Sequence, residues 1–335
     1  MILEYTSIYS GDLPDIVNLI AKTPEMQRLS DVGMHCGCEY ANTPLYKQAI
    51  RPYSRLTHSI GVARIIWHFT GDVTQTVAGL LHDISTPVFA HTIDFMNNDH
   101  QAQESTEDKT LPFIRNSVGI TSLLEKHGIH IDGVCDYHKY PIADNDTPML
   151  SADRLEYTLG NAHVVYRACK EKIQEIYDGL TVTENELGAP ELCFTTLRTA
   201  RAFAEIALRN SYFYVSDEDR FSMQFLADTV CRALESGALT NDDLYSTETH
   251  VIGKLKEHAQ LSAAWKEHTG ITTVGSSAER LPGRYCVKVG GKKRYIDPLA
   301  LINGCAKRIS AVDTDIKAQI ESFLRLDFDR WLYAE

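Results

Sequence analysis

The chain lacks most of what would mark it as something other than a packed protein. Across 335 residues no stretch approaches about 18 consecutive apolar residues, so no membrane span is expected. The opening MILEYTSIYSGDLPD carries no basic stretch followed by an apolar core, so no secretory leader is read there. Cysteine is sparse. The eight cysteines stand at 36, 38, 135, 169, 193, 231, 286 and 305, and only Cys36 and Cys38 are close neighbours. A zinc knuckle needs two spaced pairs and a disulfide scaffold needs denser cysteine, so the thiols are expected free, in a reducing compartment such as the cytoplasm. Positive charge is short as well: 33 Lys+Arg against 45 Asp+Glu leave a net charge of −12. Long-range repulsion then disfavours general nucleic-acid binding, although one local basic pocket for a small anion is still allowed. There is no Gly/Ser-rich linker, internal repeat or low-complexity segment. With 44% hydrophobic and 23% charged residues, the composition excludes a disordered chain.

What is present is mostly helical signal. Ser54 suits an N-cap, and Leu56, Ile60, Val62, Ala63, Ile65, Ile66 and Phe69 form a broad helical stripe after it. Asp72 or Thr74 opens a second helix through TQTVAGLLHD, and Pro87 suits the first turn of a third, VFAHTIDFM. Further helices are expected near 117–127, 148–163, 195–214, 217–236, 248–268 and 313–326. The polar stretch 97–110 reads as a loop long enough to carry function. Strand signals are few. Residues 180–183 and 192–195 flank ENELGAPE as one hairpin, and 285–289 and 293–296 flank Gly290-Gly291-Lys292 as another, with Lys292-Lys293-Arg294 as its solvated end. The expectation is a mainly α fold: a helical domain over 1–270 whose motif core is 50–160, and a small β-hairpin/α appendage over 271–335 packed on it.

Chemistry concentrates early in the chain, since nine of the thirteen histidines fall at or before position 138. His82-Asp83 ends an apolar run, where an imidazole and a carboxylate are costly unless paired or metallated. Nitrogen and oxygen donors together suit divalent Mn, Fe, Co, Ni, Zn or Mg. One adjacent pair cannot fill a coordination sphere, so other helices must contribute. His91 and Asp94, three apart, share a helix face, which lets the carboxylate orient the imidazole. Arg55 lies one turn before His58 and carries a guanidinium able to grip a phosphate. Taken singly, each has an ordinary reading: His58 and His82 as satisfied core histidines, Asp153 as a helix cap, Arg55 as an ion-pair partner.

Together, SRLTHSIGVA (54–63), AGLLHDISTPVFAHTIDF (78–95) and SADRLEYTL (151–159) resemble, in that order, the HD-domain metal-dependent phosphohydrolases, and within them the deoxynucleoside triphosphohydrolase-like branch. The resemblance covers about residues 50–160 and, more loosely, the tail KRYIDPLALINGCAKRIS. It implies an HD-domain helical bundle in which His58, His82, Asp83 and Asp153 hold one divalent metal ion. It further implies His91 and Asp94 as catalytic residues and Arg55, His100, Arg154 and Tyr157 as substrate contacts. The partner would be a small phosphorylated molecule, a nucleotide by family, whose ester or anhydride is hydrolysed by metal-activated water; homo-oligomers are common among such proteins. Two positions depart from the family pattern. Thr86 stands where a further histidine is usual, and Asn161 where an aspartate is. Both bear on the substrate and neither is a metal ligand. A relative that lost turnover, a metal-bound nucleotide sensor or scaffold, is the alternative.

Overall fold

Side-chain caps start the helices that matter in the computed structural model, which describes residues 4–9, 11–50, 52–96 and 109–335. Ser54 accepts the Thr57 amide to open α1 (Arg55–Thr70), and Asp72 accepts the amides of Thr74 and Gln75 to open α2 (Val73–Leu81). A short α3 (Thr92–Met96) follows. Ser151 caps α4 (Ala152–Val164), Thr196 caps α5 (Leu197–Tyr214) and Ser216 caps α6 (Asp217–Glu235). Each cap satisfies an amide that no earlier carbonyl of its helix can reach.

Gly71, at φ 61°, ends α1 with its amide on the Trp67 carbonyl. Only a residue that tolerates the left-handed region closes a helix so sharply. The chain then returns along α1, and Gly79 lies so close that a Cβ there would sit 2.1 Å from Ile66 Cδ1. Helix α1 is buried on more than one side. Val62, Ile65 and Ile66 pack with Leu155 and Leu159 of α4 and Phe203 of α5, whereas Ala63 packs with Val77, Leu80 and Leu81 of α2. A helix apolar nearly all round is a central one, and α1 carries the first site residues into the middle of the molecule. No described helix is long and apolar enough to cross a membrane, and none of the eight cysteines is in a disulfide.

The first hairpin forms as expected: β1 (Leu180–Glu184) runs antiparallel to β2 (Pro190–Phe194). The second does not. Residues 285–298 contain no strand beyond a single bridge from Val287 to Leu332. The C-terminal region instead forms β3 (Val274–Ser277), β4 (Leu299–Ile302), β5 (Cys305–Arg308) and β6 (Trp331–Ala334). Strands β4 and β5 make the hairpin, turning at Asn303-Gly304, whose φ angles of 52° and 80° match the primed turns that right-twisted strands require. Gly290-Gly291 is no turn. Gly291 passes a helix junction where a Cβ would meet Val215 Cγ1 at 2.9 Å. Strand β4 also pairs parallel with β2, giving a four-stranded sheet of order β1-β2-β4-β5, while β3 pairs with β6.

Two helical expectations are also corrected. The segment after Pro87 is not helical until Thr92, because Phe89 (φ 62°) and Ala90 (φ 42°) adopt the left-handed region. Tertiary packing imposes this: the Val88 amide donates to the Leu244 carbonyl and the Phe89 ring stacks on Trp265. The span 248–268 breaks at His258 into α7 (Glu248–Glu257) and α8 (Ala259–Gly270). The last helix, α9 (Thr314–Leu324), lies where the pattern put it.

Candidate metal centre

His58 lies in the first turn of α1 and His82 caps the end of α2, so the returning chain brings the two rings together, with centroids 5.1 Å apart. Asp153, in the first turn of α4, completes the meeting. Its Oδ1 is 2.9 Å from His58 Nε2 and 3.9 Å from His82 Nε2. Asp83 Oδ2 is 3.4 Å from His82 Nε2, and His58, His82 and Asp83 can each offer a ligand atom within 4.8 Å of the others. All four residues singled out from the sequence therefore converge from three separate segments.

Each imidazole is held by the nitrogen facing away from this centre. His82 Nδ1 donates to the Gly79 carbonyl at 2.7 Å. His58 Nδ1 donates to Glu156 Oε2 at 2.5 Å, and Tyr53 donates to the same oxygen at 2.8 Å. A carbonyl or carboxylate on Nδ1 fixes the tautomer, so that in the neutral ring the Nε2 lone pair points into the centre. Glu156 is fully buried, and Gly61 of α1 makes its room: a Cβ at 61 would sit 2.6 Å from Glu156 Cγ. That close approach accounts for the glycine in the R-x-x-H-S-x-G motif. Arg28 pins the chain just past the doublet, donating to the carbonyls of Ile84 and Thr86 at 2.9 and 2.8 Å.

The centre calls for positive charge. Burial opposes a charged His58, but its hydrogen bonds to Asp153 and Glu156 outweigh burial and push the imidazole up to about 10. Burial also opposes the Asp153 carboxylate, yet the His58 hydrogen bond and the charges of His58 and His82 bring it down to about 2. Asp83 is likewise buried and still held far below the usual carboxylate range by Arg55, His82, His58 and Thr86. Two imidazole nitrogens already fixed through their partner nitrogens, and two carboxylates kept ionised, are the donor chemistry of a divalent cation.

Two chambers flank the centre. The smaller one, called inner, is about 140 Å³ and mixes aromatic and sulfur-bearing walls with polar and charged groups, among them His35, Asn161, Asp219 and Arg220; the larger, called outer, is about 800 Å³. His91, Arg55, Asp153 and Tyr157 line both. The left-handed turn at Phe89-Ala90 precedes His91, and Thr92 ties it down by donating to the Cys36 carbonyl at 2.8 Å. Arg55 Nη1 reaches both Asp83 oxygens at 3.1 Å. Arg154 faces the outer chamber but gives its guanidinium to the loop beside it, to Thr147 Oγ1 at 3.0 Å and the Asn145 carbonyl at 2.5 Å. Asp94 falls within α3, and its side chain lies outside the described residues, as does His100 altogether. Asn161 bonds His35 at 2.9 Å and Tyr214 at 2.6 Å, and Thr86 donates to Asp83 at 2.7 Å.

Several residues of the site escaped the sequence reading. Glu156 stood in the A-D-R-x-E-Y string, one helical turn from Asp153, and that i, i+3 spacing was its signal. His35 offered none. Tyr137 packs its ring on His82 at 4.9 Å, and the neighbouring His138 faces Asp144 across 3.5 Å. Lys292 and Arg294, expected at a solvated hairpin end, instead line both chambers.

No family model matches the chain. Uncharacterized protein YdhJ of Bacillus subtilis is 26% identical over 274 residues, covering 80% of this chain and 81% of that protein. Metal-dependent phosphohydrolase cns2 of Cordyceps militaris is 26% identical over 265 residues, covering 76% of this chain and 67% of its own. Among solved structures, a phosphohydrolase from Bacteroides thetaiotaomicron matches with a TM-score of 0.65 at 16% identity, over 97% of both chains. A hypothetical protein from Aquifex aeolicus matches at 0.66 and 17%, over 100% of this chain and 96% of that one. The mainly helical fold is thus shared with a phosphohydrolase of known structure, and a metal-dependent phosphohydrolase is among the sequence relatives.

Proposed function

We propose that this chain is a metal-dependent phosphohydrolase acting on a phosphate ester or anhydride, with a nucleotide as the substrate class. One observation carries the reading: the side chains of His58, His82, Asp83 and Asp153, from three segments, meet between two chambers with both imidazoles locked through Nδ1. These four would hold the cation. When bound, a divalent ion supplies an acidified water and neutralises charge on the phosphoryl oxygens.

The remaining work falls to the chain's own groups. Arg55 is fixed on Asp83 by one nitrogen, while its buried Nε finds no acceptor among the described residues and is a donor left for a phosphoryl oxygen. His91, at the junction of the chambers, gives a proton to the leaving oxygen, and a role for Asp94 beside it rests on the motif resemblance alone. Tyr157 sits at the same junction and positions the substrate. The inner chamber sets apolar Met34, Phe95, Phe213 and Tyr214 beside polar His35 and Asn161 and the cations Arg55, Lys292 and Arg294, a mixture that suits a planar base joined to phosphate. The triphosphohydrolase-like branch follows only from the motif resemblance.

The test is metal content of the untreated protein together with phosphate release from a panel of nucleotides and simple phosphoesters in Mn²⁺. Asp83→Asn should retain the fold and lose at least about 10³-fold in turnover, since a missing ligand removes stabilisation on the order of 4 kcal/mol from the transition state. Metal binding with no turnover on any phosphate compound would favour the sensor and sink the enzyme.

A further inference from the structure

The outer chamber poses an electrostatic problem. Five aspartates line it, Asp83, Asp136, Asp144, Asp146 and Asp153, and a phosphorylated ligand must enter against them. Four cations line it too: Arg55, Arg154, Lys292 and Arg294. Arg55 and Arg154, from the motif core, bond Asp83 and the 145–149 loop. The other two come from outside the motif core, and the chain goes to some length to place them.

The chain turns tightly at Lys293, where the Arg294 amide donates to the Lys292 carbonyl at 2.9 Å. In Lys292-Lys293-Arg294 the outer pair lines the chambers, while Lys293 Nζ turns away and donates to the Leu324 carbonyl at 2.7 Å. Both ends of the segment are fastened. Buried Arg220 donates to the Val289 carbonyl, and to the Val215 carbonyl at 3.0 Å, which fixes the entry. At the exit, the Asp297 amide donates to the Pro148 carbonyl at 2.9 Å, beside the loop that leads to Asp153. Gly291 permits the tight passage between, over Val215 and Arg220. The positive charge of Arg294 also acts on the hydroxyls of Tyr157 and Tyr214 on the chamber walls.

We propose that Lys292 and Arg294 form an anion subsite, contributed by the C-terminal appendage, for phosphoryl oxygens turned away from the His/Asp centre. The identity of the anion rests on the phosphohydrolase reading; the cationic clasp itself does not. The ligand class is a phosphate group, with the planar Arg294 fork taking two oxygens and the Lys292 ammonium a third.

Calorimetric titration of inorganic phosphate into the full-length, Mn²⁺-loaded chain tests it. Lys292→Gln and Arg294→Gln should each weaken phosphate binding by about tenfold and flatten its salt dependence, with Mn²⁺ affinity unchanged. Lys293→Gln, the same charge change on the outward side, should stay within about twofold. Arg294→Lys should recover part of the loss, which separates lost charge from misfolding. Phosphate affinity equal in native protein and both Gln variants overturns the subsite, and so does phosphate that fails to bind the native chain. If instead Mn²⁺ does not bind but phosphate binding still depends on Lys292 and Arg294, the metal-enzyme reading falls and the subsite stands.

Discussion

The motif core and the C-terminal stretch 271–335, the appendage of the sequence reading, both bring charged side chains to one site, but by different physics. In the core three residues of the metal centre sit at helix ends: His58 four residues after Ser54, Asp153 two after Ser151, His82 at the end of a helix that Asp72 opens. Local hydrogen bonds place them, and the helices then need only pack. In the appendage, Lys292 and Arg294 lie on backbone without regular structure, held by ties from distant residues: Arg220, Pro148 and, beyond the segment, the pair Arg308–Glu191. Chemistry placed by caps is written within a few residues of itself. Chemistry placed by tethers is written elsewhere in the chain.

The sharpest way to break this contrast is to cut a tether. Glu191 of β2 is fully buried and takes two hydrogen bonds from Arg308 of β5, at 2.6 and 2.8 Å. The same carboxylate accepts the Leu150 amide at 2.9 Å, just ahead of the Ser151 cap and Asp153. Arg308→Ala leaves the buried carboxylate with only the Leu150 amide and the Asn185 side chain as donors among the described residues and should lower unfolding stability by about 3–5 kcal/mol. Denaturant unfolding measures this. A loss under about 1 kcal/mol would mean that the appendage is not fastened through this pair, and the contrast would fail.

A smaller effect is expected inside the core, at a residue that is not a ligand. Glu156→Gln keeps the size and the Tyr53 bond but weakens the hold on His58 Nδ1. Metal affinity should fall between about 10- and 100-fold, with Mn²⁺ stoichiometry unchanged. Competition with a chelator gives the number. An unchanged affinity would show that the helix cap alone orients His58, which would sharpen the local half of the comparison.

Legibility follows the same division. The periodic stripe of α1, the caps and the ordered H…HD…D set were readable because each rests on neighbours in sequence. The Pro87 segment misled because nothing local announces that Phe89 is drawn onto Trp265 and Val88 onto Leu244, against the helical preference of the string. The hairpin error is of another kind. Asn303-Gly304 between Leu299–Ile302 and Cys305–Arg308 is the stronger turn signal, and Gly290-Gly291 the weaker one. A glycine pair means either a turn or a close passage of backbone, and only the Val215 contact tells which. Glu156 was readable in principle, one turn along from Asp153; His35 was not.

Asp219 and Arg220 join the two regions at one point and provide the mildest probe. Arg220 holds the appendage, while Asp219, its neighbour on α6, faces the inner chamber and accepts the Tyr46 hydroxyl at 2.8 Å. Burial pushes the Asp219 carboxyl up to about 7, and the charges of Glu39 and Glu218 add to this, against the hydrogen bonds from Tyr46 and Cys38. The sign follows from proton counting. Below about pH 4 the group is protonated folded or unfolded, and its full contribution is present. Between about 4 and 7 the folded chain keeps a proton that the unfolded chain has released, so stability falls as pH rises; above about 7 the loss is complete. Asp219→Asn removes this titration while leaving an acceptor for Tyr46. The native protein should therefore lose on the order of 1–2 kcal/mol more than the variant between pH 5 and pH 8, read as a difference in the two melting-temperature shifts. Parallel shifts in both proteins would place the pH sensitivity elsewhere, with buried Glu248, which burial and Glu39 raise to about 8, as the next residue to change.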